Sequence, residues 1–106
     1  MSLRALRSLI AIAQHGSFAR AADTVHLTQS AVSLHVKSLE EEFNAALFDR
    51  SRRLPVLTDA GHLAVERAHE IIALYDSIAS DIGADNELRG RLKIGAIQTA
   101  LAGALP

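Results

Sequence analysis

Two amphipathic segments stand only a tight turn apart, and that spacing constrains the chain more than any other feature. A helix is expected over Phe18 to about Val25, with Ser17 as its cap and Ala19, Ala21 and Ala22 allowing close packing. After His26 and Leu27, Thr28 caps a second helix that runs to about Phe43. Val32, Val36, Leu39 and Phe43 recur in it at spacings of 4, 3 and 4, which makes one apolar face. Asn44 suits the left-handed stop that follows. Two short helices joined so closely must cross one another and share a core, and residues 18–39 form a helix-turn-helix candidate.

The other side of the 28–43 helix carries Gln29, Ser30, Ser33, Leu34 and Lys37. A plain solvated face would carry Glu and Lys. In a helix-turn-helix the corresponding helix enters the major groove and its first turns meet base edges. Short donors and acceptors fit there: Gln29 can pair bidentately with adenine, Ser30 and Ser33 can donate or accept, and Leu34 can touch a thymine methyl. Lys37, a turn further on, reaches for phosphate, and Thr28 with the first amides of the helix can hold another. The bland alternative is an ordinary polar face on a three-helix scaffold.

The flanking segments complete a fold. Leu3, Leu6, Ile10 and Ala13 give a first helix over Ser2 to Gln14, stopped by Gly16. Leu47-Phe48 and Leu54 to Leu57 bracket an Arg-rich tip and predict a small hairpin, with Pro55 confining the second run to an edge. Arg52 and Arg53 at that tip can reach a minor groove, and Arg50 a phosphate. Thr58 caps a long helix to about Ile82. Its seam, Ala64, Ala68, Ile71, Tyr75, Ile78 and Ile82, is spaced 4, 3, 4, 3 and 4 and asks for a partner helix. Residues 83–90 predict a polar linker, and 91–97 alternate as a strand. The expected organisation is a mainly α chain: a winged helix-turn-helix (1–57), a linker and dimerisation helix (58–82), and a linker with the first strand of a truncated further domain (83–106).

Charge and composition exclude other classes. The net charge is −1, yet residues 1–57 hold seven Lys/Arg against five acids, while residues 58–106 hold four against seven. Local charge sets the field a partner meets, so the two halves have different work. There is no cysteine, which removes disulfides and thiolate metal sites. No apolar run has the length of a signal or membrane segment, and a soluble cytoplasmic protein is the expectation. No P-loop, nucleophile elbow or dinucleotide fingerprint is present, so no enzyme is expected. His62, Glu66 and His69 share a helix face, but no further zinc ligand is evident. Glu40 to Glu42 read as a solvated helix end pointing away from any phosphate.

Together these residues resemble the N-terminal domain of LysR-type transcriptional regulators. The stretch "GSFARAADTVHLTQSAVSLHVKSLEEEFNAALFDR" followed by "LTDAGH" carries the likeness, which covers residues 1 to about 90. It includes the SF-x-x-AA start of the second helix, Q-[SP]-A-x-S, LE-x-x-[FL], LF-x-R and LT-x-AG. "GRLKIGA" with Thr99 and "ALP" is similar to the opening of that family's effector domain. The resemblance implies base contacts from Gln29, Ser30, Ser33 and Leu34, phosphate anchoring near Ser17, Thr28 and Lys37, and a wing contact from Arg53. It implies double-stranded DNA as partner, an interrupted inverted repeat as target, dimers through the linker helix and tetramers of the full-length protein. It implies no cofactor in this chain and a small-molecule effector for the full-length protein, faced by Thr99. Four positions depart from the pattern: Ser30 stands where Pro is frequent, Leu34 where Arg is, Asn44 where Gly is, and Pro55 is less usual. A pure dimerisation module is the competing reading; it predicts association without salt-sensitive DNA affinity.

Overall fold

The computed structural model describes the backbone of residues 2–93 and the side chains of residues 2–85. Four helices follow one another: α1 (Leu3–His15), α2 (Phe18–Val25), α3 (Gln29–Phe43) and α4 (Asp59–Lys93). Contacts divide the chain into two units, Met1–Ile72 and Ala73–Pro106. α1, α2 and α3 pack on one another in the first unit.

Hydroxyl caps set where each helix begins. The Ala5 amide donates to Ser2 Oγ (3.1 Å), that of Arg20 to Ser17 Oγ (3.2 Å), that of Ala31 to Thr28 Oγ1 (3.0 Å) and that of Gly61 to Thr58 Oγ1 (3.0 Å). Each satisfies an amide the helix cannot, and is worth about 1 kcal/mol. Left-handed residues set the ends: Gly16 (φ 67°), His26 (φ 59°) and Asn44 (φ 52°) close α1, α2 and α3. The caps Ser17 and Thr28 and the stop Asn44 are in place as expected, and His26, expected only as part of the turn, is the left-handed stop of α2.

The core comprises Leu6, Leu9 and Ile12 from α1, Ala21 and Ala22 from α2, Val32, Val36 and Leu39 from α3, and Leu47, Phe48 and Ala68. Two expectations need correction. The buried face of α1 is centred on Ala5, Leu9 and Ile12, while Leu3, Ile10 and Ala13 are only partly covered, because α1 packs against more than one neighbour. Phe43, placed by its spacing on the buried face of α3, is exposed. It sits at the last turn of α3, where the chain leaves it on the edge of an open apolar groove of about 510 Å³ with Leu6, Leu47, Leu63, Ala64 and Ile71.

The hairpin between α3 and α4 is a single antiparallel bridge, Phe48 to Leu57. The Asp49 amide donates to Val56 O (2.8 Å) and the Thr58 amide to Leu47 O (3.0 Å), the bonds that flank a non-hydrogen-bonded pair. The ladder ends there because the Asp49 carbonyl turns to the Arg52 amide (3.3 Å) and its carboxylate to Ser51. The Phe48 ring meets Phe18 of α2 with centroids 5.6 Å apart and planes at 58°, which docks the hairpin on the helices.

α4 differs most from expectation. It runs through Lys93, taking in residues 83–90, expected as a polar linker, and 91–93, expected to open a strand. Each glycine costs about 1 kcal/mol in a helix, and Ala84, Glu87, Leu88, Arg89 and Arg91 are good helix formers with no proline among them. The rest of that strand, residues 94–97, and Thr99 lie outside the described residues. The seam is split as well. Ala68 is fully buried and Ala64, Val65 and Ile72 pack against the helical core, whereas Ile71, Tyr75, Ile78 and Ile82 are exposed.

Candidate nucleic-acid interface

α3 separates two chemistries along one axis. Val32, Val36 and Leu39 are buried at 1% exposure or less, and each contributes roughly 1.5–3 kcal/mol of burial. Gln29, Ser30, Ser33, Leu34 and Lys37 are all exposed, with Leu34 at 63%. The helix has no apolar reason to leave a leucine in water there. The set spans the first two and a half turns, behind an N-terminus whose leading amides have no helical partner. It can therefore offer base-edge donors and acceptors, a methyl-sized apolar contact and one ammonium.

The two capping hydroxyls, Ser17 and Thr28, are engaged as acceptors by amides of their own helices. Each still has its O–H to donate, and each stands at the start of a helix, where the backbone field favours an anion.

The arginines of the hairpin are not equivalent. Arg50 donates to Glu40 Oε1 at 2.6 Å, and the other oxygen of Glu40 accepts from the Leu47 amide at 2.8 Å. Arg50 thus ties the hairpin to the end of α3, while its side chain stays 61% exposed. Glu40, read from sequence as part of a solvated helix end, is instead the joint between α3 and the wing, with its side chain only 17% exposed. Arg52 lies 3.6 Å from Asp49 Oδ2 and is otherwise open to solvent. Arg53 is exposed, and among the described residues no acid pairs with it or with Lys37. Asp49 is held below its ordinary pKa of 3.8, first by the Ser51 hydroxyl (2.6 Å), then by the Ser51 amide (3.0 Å) and the charge of Arg52.

Two pairs escaped the sequence reading. The Glu40 joint was hidden because three successive glutamates look alike in sequence, and only the return of the chain at Leu47 singles one out. Ser8 and His35 form the second pair, with Ser8 Oγ 2.7 Å from His35 Nδ1 across α1 and α3. Its signal was a serine inside an apolar run. Among the described residues no three acids or histidines gather as a metal site, and no helix is long and apolar enough to cross a membrane.

Comparison with known proteins agrees with this geometry. Residues 3–62 match the family described as bacterial regulatory helix-turn-helix protein, lysR family. The chain is 44% identical over 99 residues to a probable RuBisCO transcriptional regulator of Cyanophora paradoxa, covering 92% of this chain and 31% of that protein. The counterpart in Synechocystis is 44% identical over 106 residues, covering 99% and 31%. The chain thus spans about a third of the length of these relatives. Among solved structures, the CbnR DBD–DNA complex superposes with a TM-score of 0.72 at 33% identity, over 76% of this chain and 93% of that one. Vibrio fischeri DarR in complex with DNA gives 0.75 at 26%, over 83% and 30%. By the match over residues 3–62, the chain belongs to the LysR family of bacterial regulatory helix-turn-helix proteins.

Proposed function

We propose that the chain is the DNA-binding part of a sequence-specific transcriptional regulator that binds an interrupted inverted repeat as a dimer. The observation that carries this reading is the sidedness of α3: a sealed apolar back and an exposed front of Gln29, Ser30, Ser33, Leu34 and Lys37. In the major groove Gln29, Ser30 and Ser33 read base edges and Leu34 meets a thymine methyl. Lys37, with the helix starts at Ser17 and Thr28, holds phosphates. Arg53, assisted by Arg52, enters the neighbouring minor groove. Arg50 takes the supporting role that its bond to Glu40 describes.

Dimerisation is assigned to the exposed apolar residues of α4. Leu74, Tyr75, Ile78 and Ile82 lie exposed in the second unit at spacings that repeat along a helix. A two-fold dimer presents two copies of α3 and so selects a two-fold site. For the full-length protein the reading extends to tetramers, to a small-molecule effector met by Thr99 in a further domain, and to a binding rather than a catalytic role in the cytoplasm.

Selection from a random duplex pool, followed by titration of the winner against a scrambled duplex at two salt concentrations, tests the proposal. An enriched inverted repeat, bound much more tightly than the scramble, is the expected result. No enrichment, with weak binding that disappears at moderate salt, would sink base reading and leave the dimerisation module.

A further inference from the structure

α3 is held against α1 chiefly by Val32, Val36 and Leu39, whose contacts are apolar and have no preferred direction. Such contacts hold a helix by close packing and carry no directional bond of their own. One contact differs in kind. Ser8 is fully buried on α1, the one polar side chain among the buried described residues, and its Oγ lies 2.7 Å from Nδ1 of the half-buried His35 on α3. In the tautomer that carries its proton on Nε2, the Ser8 hydroxyl donates to Nδ1.

At 100° per residue His35 lies almost opposite the centre of the Ser30, Ser33, Leu34 and Lys37 face, so its ring cannot meet a base that those side chains meet. A directional bond on the back of a helix fixes the rotation of its front. With side chains reaching roughly 5–6 Å from the axis, a roll of about 15° carries their tips about 1.5 Å. A recognition constellation tolerates about 0.5 Å.

We propose that Ser8 and His35 are a positioning pair that sets the rotation of α3 and thereby the base preference of the protein. The proposal rests on the reading of α3 as the DNA-reading helix. It separates two quantities that a purely structural contact would move together. Phosphate-driven affinity tolerates a small roll, because the charge of Lys37 acts through space and on any sequence. Base discrimination does not, because bidentate contacts require alignment.

The test measures binding to three duplexes: the sequence enriched from the random pool, a single-base-pair variant within its half-site, and a scramble. Ser8→Ala and His35→Leu are each expected to reduce discrimination between the first two duplexes by about tenfold, the scale of one lost base contact. Binding to the scramble should be unchanged, and the double variant should be no worse than either single one. His35→Asn, which keeps a polar group near the position of Nδ1, should restore most of the discrimination. If both single variants discriminate like the wild type, or lose affinity equally on all three duplexes, the pair does not position α3 for reading. Circular dichroism verifies the fold, and if His35→Leu fails to fold, the conservative Ser8→Ala decides alone. A wild type that itself shows no preference among the three duplexes overturns the DNA-reading role, and the pair's role with it.

Discussion

At the scale of single residues, Gly61 and Asp49 show how local chemistry shapes the approach to the wing. Gly61 opens α4 beneath the hairpin, and a Cβ there would overlap the Leu47 carbonyl oxygen and press on a Leu57 methyl at 2.8 Å. Because the obstruction is backbone, it cannot turn aside as a side chain would. Gly61→Ala should destabilise the first unit by roughly 1–3 kcal/mol, measured by urea unfolding, with no change at the exposed residues of α3. Asp49 closes the turn that ends the ladder, and its folded pKa is lowered by Ser51 and Arg52. A lowered carboxyl stabilises the fold fully above its unfolded value, near 3.8, and loses that contribution as pH falls through the folded value. Carboxyl titration by NMR should place Asp49 below 3.8, and Ser51→Ala should move it back up. Neither role is visible in the residue types alone, since both depend on which backbone atoms lie close by.

At the scale of elements, α2 and α3 are the parts that sequence describes best. Their caps Ser17 and Thr28, the stop Asn44, and the buried positions Val32, Val36 and Leu39 all follow from local rules. Phe43 shows the limit: periodicity says which face a residue is on, not whether the neighbour extends far enough to cover it. The wing depends on a contact between elements, the two oxygens of Glu40 joining the Leu47 amide and Arg50. Glu40→Ala leaves a partly buried amide without its acceptor and should cost about 1–3 kcal/mol. Arg50→Ala removes only an exposed ion pair and should cost about 1 kcal/mol or less. Chemical denaturation of the two variants side by side checks the order; equal losses would mean that the ion pair, not the amide, anchors the wing.

At the scale of the molecule, α4 serves two surfaces. Near its start Ala64, Ala68 and Ile72 join the helical core, and further on Leu74, Tyr75, Ile78 and Ile82 are open to solvent. On the proposed reading, these exposed apolar side chains meet a second copy of the chain. Ile78→Asp should weaken dimerisation about tenfold or more, the equivalent of losing one buried isoleucine, as read by sedimentation equilibrium. The helical content of the first unit should persist. An unchanged dimer constant would remove this face from the interface.

What sequence determined by itself was everything decided within a few residues: the capped starts and left-handed stops of the helices, the two-residue joint before Thr28, and the polar front of α3. Each depends on hydrogen bonds and backbone angles local to the chain, so residue type and spacing suffice. Tertiary structure alone decided which glutamate anchors the wing, which serine is buried against His35, and which part of the α4 seam the core consumes. Those outcomes turn on atoms brought together from distant positions, where burial and pairing, not propensity, fix the energy.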